Sequence, residues 1–400
     1  MMKLAPIIIS LLDTDLYKFN MNQVMLHKHT DLTGTYFFKC RDEGVHFTAE
    51  MIDEINAQID HLCTLTFTNA ELDYLRSIRF IKNDYVEFLR LWHPIRDYVT
   101  VGTDDTCGLT IKVEGPMFSA MQFEIYLLSI VSEVYFRMSI PDTFGSYDVG
   151  KNNLRDDLEK FKDGTYTFKF AEFGGRRRFS REWQEYVVRQ YVKECPNAMV
   201  GTSNVYLAMK YGLTPIGTYA HEYVQMYQGI PSIPLAYTNK AAMEDWYDEY
   251  KGDNGIALTD TVTTDLFLLD FDRAAANNFT GLRHDSGDPY EWGRKVIDNY
   301  AKYGIDPKTK TLLFSDSLNF EKAQNLYDAF KNDAKVAFGI GTYVTNHLDV
   351  KPLNIVLKLQ YVNGNPVAKL SDVDGKTMCR DPEYINYLRN AVQFRVSRGR

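Results

Sequence analysis

Little in this chain marks it for export, a membrane or a nucleic acid. Its five cysteines, Cys40, Cys63, Cys107, Cys195 and Cys379, are widely spread with no CxxC or other metal-ligand spacing, a pattern that suits reduced thiols and argues against a disulfide framework. There is no surplus of cations either: 45 Lys and Arg stand against 53 Asp and Glu, for a net charge of −8. Nucleic acids and anionic membranes are held by such a surplus, so any phosphate binding here has to be local. No apolar run approaches the ~18 residues of a membrane span, and the run Ile7 to Ile9 is too short for the core of a signal peptide. What remains is a 400-residue, acidic, globular chain of the size of a cytoplasmic enzyme. On a length prior of ~150 residues each it holds roughly two to three domains.

Against that background the nine residues GLRHDSGDP, Gly281 to Pro289, stand out. Asn278, Phe279 and Thr280 read as a short strand before them. Asp288 reads as the N-cap of a following helix, with Pro289 at its first position and Glu291 closing a capping box. A capped strand-to-helix loop accounts for Asp288, Pro289 and Glu291. It leaves Arg283 and Asp285 unexplained. A cation and a carboxylate on such a turn, with Gly287 letting the backbone approach a ligand, suit something phosphorylated.

From about Thr167 onward a short apolar run, a polar or Gly-rich turn and an amphipathic stretch repeat without a low-complexity linker, which is the βα signature. Seven strands are expected, over 168–173, 198–200, 215–218, 256–259, 278–282, 311–314 and 336–338. The residues after them, Arg176 to Arg178, Thr202 and Ser203, His221, Asp260, Arg283 with Asp285, Ser315 with Asp316, and Gly339, Gly341 and Thr342, could share one rim. A (β/α) barrel collects its catalytic groups there. An open doubly wound sheet would also do so, and the odd strand number points to an irregular barrel. Before about residue 145 helices and strands mix differently, and near the end Asn363-Gly364-Asn365 reads as a hairpin turn. The expected fold is therefore α/β: an N-terminal α+β domain over 1–145, an irregular seven-stranded barrel over 146–352, and a hairpin and tail over 353–400 that complete the first domain. Phe118 to Met138, apolar but broken by Glu124, Ser129, Ser132, Glu133 and Arg137, is expected to be a buried helix.

Each polar cluster has a plain reading beside a chemical one. In FGGRRRFSRE, Phe173 to Glu182, consecutive arginines cannot all face one way; one or two can grip a carboxylate or phosphate, while Arg177 or Arg181 suits a solvated turn. His221 is either a core histidine or, as a neutral imidazole held by a carboxylate, a base or phosphoryl acceptor. Asp316 or Ser317 either caps the next helix or, for Asp316, accepts ribose hydroxyls. FGIGT, Phe338 to Thr342, suits a monophosphate held by backbone N–H groups. Tyr17 in DTDLYK, read without context, simply packs. These residues alone suit a barrel enzyme for a phosphorylated sugar, with aldolase, isomerase and transferase chemistry all open.

Taken in order, DTDLYK, FGGRRRFSRE, GTSN (Gly201 to Asn204), GTYAHE (Gly217 to Glu222), GLRHDSGDP, FSDSLN (Phe314 to Asn319), FGIGT and KPLNIVLKL (Lys351 to Leu359) resemble the motifs of the nicotinate phosphoribosyltransferases along nearly the whole chain. The resemblance implies transfer of phosphoribosyl from phosphoribosyl pyrophosphate to nicotinate, giving nicotinate mononucleotide and pyrophosphate, coupled to ATP hydrolysis, at the entry to NAD salvage. It implies that Phe173 and Tyr17 sandwich the pyridine ring, with a homodimer in view if Tyr17 comes from a second subunit. It places Arg283 and Arg176 at the nicotinate carboxylate or a nearby phosphate, Thr202 and Ser203 along the ring pocket, Asp285 and Asp316 at the ribose, and Gly339, Gly341 and Thr342 at its 5′-phosphate, with Ser315 among the substrate-binding residues. His221 corresponds to the phosphorylated histidine. Mg²⁺ is expected on the pyrophosphate, with no side chain as a direct ligand. Nicotinamide-specific enzymes of similar fold carry an acid where this chain has Ser203, so Ser203 favours nicotinate. The alternatives are a nicotinamide or quinolinate enzyme of the same fold, or a non-catalytic protein that retains the phosphoribosyl pocket.

Overall fold

A computed structural model describes residues 4–140, 143–372, 377 and 379–399, without the side chain at position 144. Seven strands form one parallel sheet in the order Thr214–Pro215, Met199–Thr202, Phe170–Glu172, Lys335–Ile340, Thr311–Phe314, Gly281–His284, Ile256–Leu258. The order ends in two edge strands, so the sheet is a curled half-barrel rather than a closed ring. A second, antiparallel sheet runs Asn365–Pro366, Ile355–Val362, Thr33–Cys40, Thr110–Pro116, Val99–Gly102. The C-terminal hairpin thus belongs to the sheet of the N-terminal strands. Its turn works because Asn363 and Gly364 both take positive φ, 50° and 75°, the backbone that a two-residue hairpin of matching twist requires.

By packing, the chain divides into two compact units, each assembled from separated stretches. The first is Met1–Phe19, Tyr36–Gly217 and Ile340–Lys358; the second is Asn20–Thr35, Thr218–Gly339 and Leu359–Arg400.

In the first unit the apolar stretch is the helix pair Met117–Ala120 and Phe123–Ser139. It is the one segment among the described residues long and apolar enough to cross a membrane, and 94% of its most apolar 18-residue stretch is buried inside the protein, which makes it a core helix. The polar residues that interrupt its apolar run have a common use. Ser129 Oγ donates to the Gly175 carbonyl (2.9 Å), Ser132 Oγ to the Arg178 carbonyl (2.8 Å), and Glu133 Oε2 accepts from the Arg181 N–H (2.8 Å). The buried helix is therefore the scaffold of the arginine loop.

In the second unit two expectations about local structure are corrected. Asn278 is not the start of a strand but the end of a short helix, Arg273–Asn278, because Asp272 caps it by accepting from the Ala275 N–H (2.9 Å); the strand is Gly281–His284. Arg283 consequently projects from the strand itself, and Asp285 follows it. Asp288 caps the helix Pro289–Lys302 through the N–H groups of both Tyr290 (2.8 Å) and Glu291 (2.9 Å), and Glu291 forms no reciprocal arm. Three further helices, Thr143–Lys162, Thr238–Tyr250 and Pro382–Arg398, had no counterpart in the sequence reading.

Candidate active site

In the first unit the strand Phe170–Glu172 runs into a short 3-10 turn, Gly175–Arg177, and its three arginines separate completely. Arg178 turns inward, is 1% exposed, and grips Asp13 with two bonds, Nη1 to Oδ1 at 2.7 Å and Nη2 to Oδ2 at 2.9 Å. Arg177 does not lie on a solvated turn as expected. It donates to Asn354 Oδ1 (2.9 Å) and the Ile355 carbonyl (3.1 Å), and burial, with Arg176 and Arg41 beside it, lowers its pKa to about 10. Arg176 alone keeps a substantially exposed side chain, 43%, with Nη1 3.6 Å from Glu124 Oε1.

Glu124 is the hub of a cationic cluster. Its carboxylate is buried, yet Lys18 Nζ lies 2.7 Å away, Arg176 3.6 Å and Lys358 4.0 Å. Burial opposes its charge, but the three cations outweigh it and hold its pKa well below the usual range. Asp15 also interacts with Arg176, Lys18 and Glu124, so three cations stand among two carboxylates; Lys18, Glu124 and Lys358 were given no role in the sequence reading. Lys18 lies in DTDLYK, Lys358 in KPLNIVLKL, and Glu124 shows as a break in the apolar helix, but only the fold brings the three together.

Thr202 ends the strand Met199–Thr202, Ser203 follows it, and both are buried. Ser203 Oγ donates to Asp15 Oδ1 (2.6 Å), and Thr202 Oγ1 donates to Glu172 Oε2 (2.6 Å). Burial raises the pKa of Asp15 and of Glu172. Tyr17 follows on the helix Leu16–Lys28, almost buried, with the Lys18 ammonium 5.5 Å from its ring centre. Phe173 is half-buried, and its N–H is bonded to the Ile340 carbonyl (2.9 Å). Gly339 lies near the end of the strand Lys335–Ile340, and Gly341 and Thr342 follow it directly. A Cβ on Gly341 would come within 2.9 Å of the Phe173 carbonyl, so this approach requires glycine.

In the second unit His221 opens the helix His221–Met226 and is buried. Its Nε2 lies 2.9 Å from Asp260 Oδ1 and 3.5 Å from Asp285 Oδ2. Burial lowers its pKa, helped by the Lys369 ammonium and opposed by Asp260 and Asp285. An imidazole so placed is neutral at pH 7. With Nε2–H directed at Asp260, the lone pair is on Nδ1. Asp260 is itself held below the carboxylate range, because His221 and Lys369 overcome its burial. Asp285 is lowered too, against burial, by His221 and Arg283.

Around this group Ser315 Oγ donates to Asp285 Oδ1 (3.0 Å), and Asp316 accepts from Ser317 (3.1 Å). The cap of the following helix is neither Asp316 nor Ser317 but Asn319, which accepts from the Lys322 N–H (2.8 Å). The capping explanation for Asp316 is thereby removed. Arg283 Nε is buried and has no hydrogen-bond partner among the described residues. His284 is the ordinary core histidine of this region: it packs against Trp292 and Phe314, and burial lowers its pKa. His221 Nε2 and carboxylate oxygens of Asp260 and Asp285 lie within 4.8 Å of one another. That set does not fit Mg²⁺, which takes oxygen donors, because Asp260 Oδ2 already holds the Lys369 ammonium at 2.7 Å.

Residues 168–396 match the nicotinate phosphoribosyltransferase (NAPRTase) family and residues 12–132 match the N-terminal domain of that family. A nicotinate phosphoribosyltransferase of Acinetobacter baylyi is 49% identical over 403 aligned residues, covering 98% of both chains. One of Neisseria gonorrhoeae is 48% identical, covering 96% of this chain and 97% of its own. Among solved structures, nicotinate phosphoribosyltransferase of Porphyromonas gingivalis superposes with a TM-score of 0.91 at 34% identity, covering 97% of this chain and 100% of its own. That of Vibrio cholerae gives 0.91 at 36%, covering 97% and 94%. With a buried His221–Asp260 pair in one unit, an arginine loop in the other, and relatives aligned end to end, this chain belongs to the nicotinate phosphoribosyltransferase family.

Proposed function

We propose that the family reaction proceeds here with ATP hydrolysis coupled through His221, and that Mg²⁺ enters with the substrate as the complex of phosphoribosyl pyrophosphate. The observation that carries this reading is the buried His221 held by Asp260 at 2.9 Å. Its Nδ1 lone pair attacks the γ-phosphorus of ATP; an N–P bond forms, the β–γ P–O bond breaks, and ADP leaves. Asp260 keeps Nε2–H in place and steadies the ring as charge develops. Hydrolysis of the phosphoryl group then returns the neutral imidazole.

In the transfer itself the pyridine nitrogen attacks the anomeric carbon as the bond to pyrophosphate breaks. No side chain needs to become bonded to carbon; positioning and charge stabilisation carry the step. In this reading Phe173 and Tyr17 flank the pyridine, the latter open to supply by a second copy of the chain. Thr202 and Ser203 shape the ring pocket, and Arg283 and Arg176 meet the carboxylate or a nearby phosphate. Asp285, Ser315 and Asp316 hold the ribose, and Gly339, Gly341 and Thr342 its 5′-phosphate. Phosphorylated His221 adds negative charge beside Asp260 and Asp285, which favours states that bind substrate or close over it.

The test is to mix the protein with nicotinate, phosphoribosyl pyrophosphate, Mg²⁺ and ATP and to follow nicotinate mononucleotide together with ADP. Both are expected to form. A His221→Ala protein that still couples ADP release to product formation would overturn the role of His221.

A further inference from the structure

The segment Lys369 to Asp372, just beyond the C-terminal hairpin, is woven into the loop that carries Asp260. Leu370 donates its N–H to the Thr261 carbonyl (2.8 Å) and accepts from the Thr263 N–H (3.0 Å). Asp372 accepts from the N–H and the hydroxyl of Thr264 (2.9 and 2.6 Å). Side chains two apart on an extended segment face the same way. Lys369 Nζ accordingly lies 2.7 Å from Asp260 Oδ2, and Ser371 Oγ 3.2 Å from Ser286 Oγ, while Ser286 Oγ itself donates to Asp260 Oδ2. The loop so held includes Thr263 at φ 58°, a conformation that a β-branched residue keeps only when its surroundings impose it.

We infer that Lys369 is a positioning residue for His221: acting through Asp260, it keeps the carboxylate charged and fixed while preventing the imidazole from taking up a second proton. The inference rests on the reading of His221 as a phosphoryl acceptor. Among the described residues, the charged and titratable groups facing His221 are Asp260 and Asp285, which favour imidazolium, and Lys369, which opposes it. Arg283 acts on Asp285 in turn. Without Lys369 two carboxylates would face the ring with no ammonium from the described residues to oppose them, and imidazolium would prevail nearer neutral pH. An imidazolium has no lone pair to offer phosphorus.

The experiment uses full-length protein labelled with ¹³C-histidine, in which the resonance of His221, one of eight histidines, is assigned by its disappearance in His221→Asn. In the wild type it is expected to titrate below the ordinary histidine range, and in Lys369→Met to move up by about one pH unit. Lys369→Arg keeps the charge and is expected to titrate as the wild type does. An unmoved resonance in Lys369→Met, or an upward shift in Lys369→Arg, overturns the inference, and the second holds even if the Met variant fails to fold. In parallel, the acid limb of kcat for ATP-driven product formation is expected to move up in Lys369→Met while the KM for nicotinate stays unchanged. A wild-type protein that hydrolyses no ATP would count against the coupling reading, whereas the titration would still decide the role of Lys369.

Discussion

Arg178 and Asp13 form a two-bond ion pair withdrawn almost wholly from solvent, at 2.7 and 2.9 Å, with both side chains at most 2% exposed. Asn204 donates to the same Asp13 oxygen (2.7 Å) and Gln184 Oε1 accepts from Arg178 (3.0 Å), so the pair ties the DTDLYK and GTSN motifs to the arginine loop. Asp13→Ala should leave the guanidinium buried and uncompensated, at a cost of about 3–5 kcal/mol. Replacing both residues with apolar ones of similar volume should cost less than Asp13→Ala alone. Urea unfolding of the single and double variants measures this, and a strictly additive double variant would contradict it.

Ser203 donates to the buried carboxylate of Asp15, and that contact makes the position sensitive to charge. Ser203→Asp would place a second carboxylate against the first, and also against the carboxylate of nicotinate. The expected result is a loss of kcat/KM for nicotinate of ~100-fold or more, since opposed like charges cost several kcal/mol, together with a rise in the nicotinamide-to-nicotinate ratio. Ser203→Ala removes only a hydrogen bond and should cost about 1 kcal/mol. Steady-state rates with both pyridines check the two outcomes.

How much of this was legible in the sequence follows the range of the interactions. Asp288 could be read as a cap because its partners, Tyr290 and Glu291, are two and three residues away. The seven parallel strands could be read because apolar runs and turn residues are local signals. Asn278 was misread because a three-residue apolar and polar mixture does not distinguish a helix end from a strand start. The helix Thr143–Lys162 was missed because two glycines and scattered charges blur its apolar stripe. Lys369 could not be found at all: it lies 109 residues from Asp260 in a segment with no motif of its own, and only the pairing of Leu370 with Thr261 and Thr263 brings it to the site. The polar residues of the core helix were visible as interruptions, but that they hold the arginine loop is a property of the fold.

Asp245 anchors the second unit's N-terminal stretch. It accepts from His29 (2.8 Å), Lys28 (2.8 Å) and Tyr227 (2.8 Å). Burial opposes its charge, but His29, Lys28 and Tyr227 bring its pKa to about 2, from an ordinary 3.8. A folded-state pKa below the unfolded one stabilises the fold above the unfolded value, and the benefit fades as pH falls through the folded value. Asp245→Asn should therefore cost about 1 kcal/mol at pH 7 after allowance for partial exposure. The gap to the wild type should stay constant down to about pH 5 and then narrow toward pH 3. Denaturant melts across that range would contradict the assignment if the gap were independent of pH.

Gly341 separates two proposed ligand-binding features, the Phe173 ring and the N–H groups that follow the strand Lys335–Ile340. An added Cβ would stand 2.9 Å from the Phe173 carbonyl, and the bond from the Phe173 N–H to the Ile340 carbonyl (2.9 Å) restrains any shift away from it. Gly341→Ala must therefore displace Phe173, the 341–342 turn, or both. Misplacement of about 1 Å at a reacting site costs roughly 100-fold. A loss of that order in kcat/KM is expected, with KM rising for nicotinate and for phosphoribosyl pyrophosphate together. Gly304→Ala is the control: its φ of 69° disfavours a side chain, but nothing lies within 4 Å of the added carbon. It should cost about 1–2 kcal/mol of stability with a much smaller change in KM. If Gly341→Ala raises only one of the two KM values, the two features are not coupled through this glycine.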